Sequence, residues 1–285
     1  MRRRILATTL FLTTSFLICH ANPSTPIGQQ SVQQRPFEPS VGQQGKDVIW
    51  VPTRDELVDT MLDMAKVTQS DYLVDLGSGD GRIVIAAAKR GARALGVEYN
   101  PEMVELSRRN AREAGVADRA SFIQADIFET DFSKATVVTM YLLSSLNLKL
   151  RPKILEMKPG TRIVSHAFTM EDWEPDQTSN VSSGSAYLWI VPAKVAGTWT
   201  WQTGSGNAEL TLTQTFQKID GTMKVDGREL AVNGEKLEGD RISFSVVEGK
   251  AGTREYAGRV NEKSIEGTTK AGTGNASKWT ASRRL

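Results

Sequence analysis

The sequence is short of the residues that most enzymes use for acid–base and metal chemistry. Its 285 residues include one cysteine and two histidines. A disulfide framework and a thiol-rich zinc site are therefore excluded, and no metal site is expected. Any Ser-His-Asp or Cys-His mechanism must draw on Cys19, His20 or His166. Charge of one sign is also lacking: 35 basic residues stand against 33 acidic ones, for a net charge of +2. Nucleic-acid binders carry a basic excess or stripe, so no nucleic-acid partner is expected. What is there is an ordinary globular mixture, 39% hydrophobic and 24% charged, long enough for one large domain or two ordinary ones.

The first 21 residues read as an address. Arg2, Arg3 and Arg4 precede a largely apolar run from Ile5 to Ile18, and Cys19 and Ala21 are small residues flanking His20. That is the layout of a secretory signal peptide, with cleavage after Ala21. The run is too short for an ordinary spanning helix of about 20 apolar residues, although an uncleaved anchor is the alternative. An exported protein, periplasmic or secreted, with no stable membrane span after cleavage is expected. Residues 22–45 are rich in Gln, Pro, Ser and Gly without apolar periodicity, and are expected to be a disordered linker.

Residues 46–192 alternate strand and helix. Thr53-Arg54-Asp55-Glu56 has the spacing of a capping box, with Thr53 as N-cap. Strands are expected over 72–76, 92–97, 120–125, 136–140, 162–167 and 186–191. Helices follow Gly81 and Asn100-Pro101, and a third, interrupted at Pro152, spans 146–157. This order predicts a doubly wound, mostly parallel sheet covered by helices on both faces. Ligands of such sheets sit at the carboxyl ends of the strands. Asp75, Glu98, Asp126 and Tyr141 all fall there.

Asp75-Leu76-Gly77-Ser78-Gly79-Asp80-Gly81 is the most informative stretch. Its glycines allow close backbone approach to a ligand. A dinucleotide loop would be Gly-x-Gly-x-x-Gly, but here the third glycine comes one residue early. Asp75 and Asp80 also oppose a pyrophosphate and suit a cationic ligand. S-adenosylmethionine (SAM), with an ammonium, a sulfonium and no phosphate, meets both conditions. Glu98 is placed to accept from both ribose hydroxyls, and Asp126 from the adenine amino group, with Ile127 packing on the ring. Each acid alone reads as a solvated loop carboxylate. Three at successive strand ends beside a glycine loop read as a cofactor site.

The stretch Val74–Arg82 resembles the first motif of class I SAM-dependent methyltransferases, and Gly96-Val97-Glu98-Tyr99-Asn100-Pro101 resembles their acidic motif after the second strand. With Val51-Pro52-Thr53, the set is similar to a bacterial branch related to the mitochondrial protein-lysine methyltransferases of the adenine nucleotide translocase and the ATP synthase c subunit. The resemblance spans residues 46–192. It implies SAM as cofactor and a protein lysine as acceptor. Methyl transfer chiefly requires alignment and exclusion of water. Tyr141 and Ser144, after the fourth strand, are candidates at the acceptor end, Tyr141 either orienting the nucleophile or packing. Trp50 and Thr53, before the first helix, either close over the cofactor or, for Thr53, only cap the helix. His166 either lines the pocket as a base or is a hydrogen-bonded structural residue.

Residues 193–285 change texture. They hold thirteen of the 24 glycines and no helical periodicity. Turn signals at 219–221, 225–227 and 238–240 separate short alternating segments, predicting about eight antiparallel strands in a small barrel or sandwich. Gly197-Thr198-Trp199 and Trp279 generically resemble lipocalin-like or streptavidin-like barrels. Such a module either recruits substrate or ligand, or caps the sheet. Two other readings stay open: a non-catalytic exported binding protein with a relic cofactor fold, and a nicotinamide-dependent oxidoreductase.

Overall fold

The computed structural model describes residues 37–204, 206–249 and 252–284, together with Thr9. The signal-peptide assignment of residues 1–21 lies outside these residues, Thr9 apart. Of the segment 22–45 assigned to a linker, residues 37–45 are described. They are hydrogen-bonded rather than free-standing: Gly42 N donates to the Trp50 carbonyl, Trp50 N to that of Gln43, and Gly45 N to that of Val48, each at 2.9 Å.

The N-terminal module is built from β1 (Tyr72–Leu76), β2 (Arg93–Glu98), β3 (Ala120–Gln124), β4 (Val137–Met140), β5 (Arg162–His166), β6 (Gln177–Val181) and β7 (Gly184–Ile190). They form one sheet in the order β3-β2-β1-β4-β5-β7-β6. The first five strands are parallel, and β7 runs antiparallel to β5. Strand order reverses at β1, which opens a crevice at the carboxyl ends of β1 and β4. The apolar runs of β1 and β4 are buried on both faces, as a covered parallel sheet requires. Helices α1 (Asp55–Met64), α2 (Arg82–Lys89) and α3 (Pro101–Glu113) bury Leu57, Met61, Leu62, Val84 and Val104 in the core of one face. On the other, α4 (Ser144–Leu155) contributes Leu150 and Ile154 to a core with Phe132, Trp173 and Trp189.

Asn100 caps α3 as its spacing predicts, its side chain accepting from Glu102 N, with Pro101 in the first turn. The expected capping box at Thr53 does not form. The N-cap is Arg54, Glu56 accepts from Ser182, and the Thr53 hydroxyl is bonded to His166. Helix α4 runs through Pro152, which lies near its C-terminal end, where a missing N–H costs a single helix bond. Strand β6 is absent from the sequence-based expectation because Gln-Thr-Ser-Asn-Val carries no apolar alternation.

Strands β8 (Gly197–Thr203), β9 (Gly206–Thr215), β10 (Lys218–Val225), β11 (Arg228–Glu238), β12 (Arg241–Val247), β13 (Thr253–Val260), β14 (Ser264–Ala271) and β15 (Ser277–Arg283) close into an antiparallel barrel. Asp226 and Gly227 both have positive φ, the conformation of a type I′ hairpin turn. The turn expected at 219–221 is instead strand, with Gly221 facing Leu212; the β9–β10 turn falls at Phe216-Gln217. That turn joins the two modules. Phe216 stacks on Trp173 at 5.6 Å, Trp173 Nε1 donates to Gln217 Oε1 at 2.9 Å, and Gln217 Nε2 donates to the Glu174 carbonyl at 2.8 Å. At the same end of the barrel, Ala193 N donates to the Gly239 carbonyl at 2.8 Å.

Candidate active site

A cavity of about 520 Å³ lies over the carboxyl ends of β1, β2 and β4. Its floor is the loop after β1. Gly77 and Gly79 have φ of +81° and +54° and line it. A Cβ on Gly79 would stand 2.7 Å from Trp50 Nε1, so this glycine admits the indole of the overlying 43–53 segment. Gly81, also expected at the ligand, does not line the cavity. At φ +83° it begins α2, and a Cβ there would stand 2.7 Å from the Phe122 ring and 3.0 Å from Ser107 Cβ. Its absent side chain allows helix-to-strand packing. Gly81→Ala is therefore expected to cost about 2–4 kcal/mol, from left-handed backbone plus overpacking, measured by urea unfolding.

The acids are arranged in different states. Asp75 is only 3% exposed and accepts one bond, from Thr139 Oγ1 at 2.7 Å. Burial raises its carboxyl to about 7 against the opposing Thr139 bond, and the negative charges of Glu98 and Asp80 push the same way. Glu98 spans the loop, accepting from Gly79 N on one oxygen and Asn100 N on the other, both at 2.9 Å. Asp80 receives the Arg82 guanidinium, with Nη2 to Oδ2 at 2.6 Å, and accepts weakly from Arg82 N at 3.3 Å. Asp126 accepts from Phe128 N at 2.8 Å and from Lys46 Nζ at 2.5 Å; the Lys46 bond holds its carboxyl below the usual range. Ile127 lines the cavity beside it.

These contacts decide between ligand classes. A pyrophosphate would need the free amides of the α2 N-terminus. Asp80 occupies that terminus, and the cations lining the cavity, Arg82 and Lys46, are already paired with Asp80 and Asp126. The site fits SAM instead: Ser78 Oγ is buried in the cavity wall with no hydrogen-bond partner, and Asp75 and Glu98 offer unfilled acceptor positions.

Of the acceptor-end residues, Tyr141 lines the cavity with Leu142, Leu143 and Phe168. Ser144 begins α4 and does not line it. His166 is buried behind the wall, its Nδ1 3.0 Å from Thr53 Oγ1 and its ring stacked on Tyr141 at 3.7 Å. Burial lowers its pKa to about 4, so it is neutral at physiological pH, with its ring packed against Tyr141. Trp50 and Thr53 line the roof of the cavity. Of this roof, residues 43–45 are hidden from a sequence-based reading by their linker-like composition, and Lys46 carries no local signal of its contact with Asp126. The Val51-Pro52 step, with its fixed φ, is the available signal.

A doubly wound sheet with a glycine loop after β1, an acid at the end of β2 and a phosphate-averse crevice defines a class I SAM-dependent methyltransferase. Residues 75–177 match the family model described as the ANTKMT methyltransferase domain. A protein-lysine N-methyltransferase of Saccharolobus islandicus is 45% identical over 151 residues, covering 50% of this chain and 94% of that protein. The human lysine N-methyltransferase of the ATP synthase c subunit is 35% identical, covering 50% of this chain and 61% of that protein. The solved structure of an RNA methyltransferase from Salinibacter ruber, in complex with S-adenosyl-L-homocysteine, is 52% identical with a TM-score of 0.50, covering 51% of this chain and 96% of that one. The chain belongs to the ANTKMT methyltransferase family. It is a SAM-dependent enzyme, and the matches reach only about half of it.

Proposed function

We propose that the enzyme transfers the methyl of SAM to a lysine side chain of a protein. The observation that carries this reading is the cavity itself, with acids at the cofactor end and an apolar mouth. Asp75 receives the ammonium, Glu98 the ribose hydroxyls and Asp126 the adenine amino group, while Ser78 and Asp80 complete the polar wall, Gly77 lets the backbone approach and Gly79 seats the Trp50 indole over the cofactor. When bound, SAM supplies an electrophilic methyl on its sulfonium. The chain's own groups align and dehydrate the acceptor. Leu142, Leu143 and Phe168 lower the polarity around an incoming amine, favouring the neutral, nucleophilic form, and the Tyr141 hydroxyl orients its lone pair. His166 keeps Tyr141 in place.

Relatives are named for protein lysine and for RNA, and charge separates the two. Residues 22–192 carry 18 basic and 22 acidic groups, which disfavours a polyanionic substrate. Ile49, Val51, Tyr99 and Leu143 expose apolar surface around the mouth, which suits a protein segment. We also propose that the protein is exported, from the basic and apolar pattern of residues 2–18, and that residues 46–192 and 193–285 act as separate modules. Among the described residues, no helix is long and apolar enough to cross a membrane.

Isothermal titration with SAM is expected to give one site per chain, and radiolabelled methyl is expected to enter protein, not RNA, in extracts. Label appearing in RNA alone would overturn the lysine assignment. Mass spectrometry of the N-terminus tests cleavage after Ala21.

A further inference from the structure

Strand alternation divides the barrel into two ends. The turns at 216–217 and 239–240 meet the methyltransferase module. The opposite end holds a separate cavity of about 750 Å³, lined by Trp201, Val225, Leu230, Tyr256, Thr269 and Trp279. The mouth of this cup is therefore at the end of the barrel opposite those contacts. Its size falls within the range of small-molecule sites, and an eight-stranded barrel is just wide enough to hold one such ligand.

The floor is aromatic and closed. Tyr256 packs edge to face with Trp201 and Trp279, which are tilted against each other, all with centroids 5.1–5.5 Å apart. That spacing leaves no room for an ammonium between the rings, so the cup is not a cation cage. It offers an apolar surface under a charged rim. Rim residues in register with the inward-facing side chains are Arg228 (with Leu230), Arg254 (with Tyr256) and Glu248 (with Val246). Arg254 Nε donates to Glu248 Oε1 at 2.7 Å, which neutralises that pair. Asp226 is engaged by Asn207 N at 3.0 Å. The rim thus carries Arg228, Arg254 and Lys278 against Glu248 and Asp226, a net positive charge, and among the described residues neither the Arg228 guanidinium nor the Lys278 ammonium has an ion-pair partner.

We propose that the open end of the barrel binds a small amphipathic organic anion, its apolar body on Trp201, Tyr256 and Trp279 and its acidic head at Arg228. The site is independent of the methyl-transfer reading. A buried apolar body supplies the affinity, and the charge selects the head group.

The test uses the full chain and 1-anilinonaphthalene-8-sulfonate as fluorescent probe. Saturable binding is expected, displaced by dodecanoate but not by dodecyltrimethylammonium, and unaffected by saturating SAM. Arg228→Glu, an exposed substitution that leaves the core intact, is expected to weaken probe binding about tenfold or more, and Arg228→Lys much less. Circular dichroism and the intrinsic fluorescence of the barrel's Trp199, Trp201 and Trp279 serve as the folding control and stay unchanged in both variants, as does SAM affinity. Absence of saturable binding, displacement by SAM, equal displacement by the cationic detergent, or an unchanged affinity in Arg228→Glu would each overturn the proposal.

Discussion

Replacing Asp75 by asparagine is expected to weaken SAM binding about ten- to a hundredfold, or about 1–3 kcal/mol, while making the ligand-free enzyme more stable above pH 7. Both effects come from one carboxyl. Asp75 is buried with a single donor, Thr139, and burial raises it to about 7. Its ionised form is costly until a cationic group arrives, so SAM affinity is expected to rise with pH through about 7. The stability effect has a definite sign. In the folded state the carboxyl titrates near 7, against about 3.8 when unfolded. The folded chain holds more protons between these values, and Asp75 lowers stability progressively as pH rises from about 4 to about 7. His166 runs the other way. Its folded value of about 4 lies below the ordinary value of 6.5, so its contribution is present above pH 6.5 and is lost as pH falls towards 4. The two slopes oppose each other over the same interval. Urea unfolding of the wild type is thus expected to vary little there, whereas Asp75→Asn should show a clear rise in stability from pH 4 to 6.5. Unchanged SAM affinity in this variant would remove Asp75 from the cofactor site.

Trp173→Ala is expected to cost about 3–5 kcal/mol and to uncouple the two modules. This indole is fully buried at their junction, stacked on Phe216 and bonded to Gln217 of the barrel. Its backbone carbonyl also accepts Trp189 Nε1 of β7 at 2.7 Å. Calorimetry should show one dominant transition in the wild type and two separated ones in the variant. The loop that carries Trp173 begins at Phe168 in the SAM cavity, and Asn147 Nδ2 holds the carbonyls of Phe168 and Thr169. A loss of turnover is therefore expected alongside the stability loss. A single wild-type-like transition would show that the modules are not coupled through this residue.

The parts legible from sequence share one property: their signals are local. The glycine loop, the acids after β1 and β2, the Asn100-Pro101 cap and the Asp226-Gly227 turn each depend on neighbours a few residues away. The misread parts depend on distant partners. Thr53 has the spacing of a cap, yet its hydroxyl is taken by His166, 113 residues away. Gly81 looks like a ligand glycine until Phe122 and Ser107 are brought beside it. Residues 43–45 of the roof look like a linker because their order comes from backbone bonds to Val48 and Trp50, not from apolar periodicity. Strand β6 is polar because it pairs on one side only.

Closure of β8–β15 has a consequence for the chain's behaviour at high concentration. Among the described residues, it leaves only β3 and β6 with an open pairing side. Strand β6 offers Gln177, Thr178 and Asn180 to solvent, a poor template for a second molecule. On β3, the Arg108 guanidinium covers the Phe122 carbonyl at 2.8 Å. With one edge polar and the other capped by a cation, the fifteen strands among the described residues offer almost no edge on which copies can stack into fibrils.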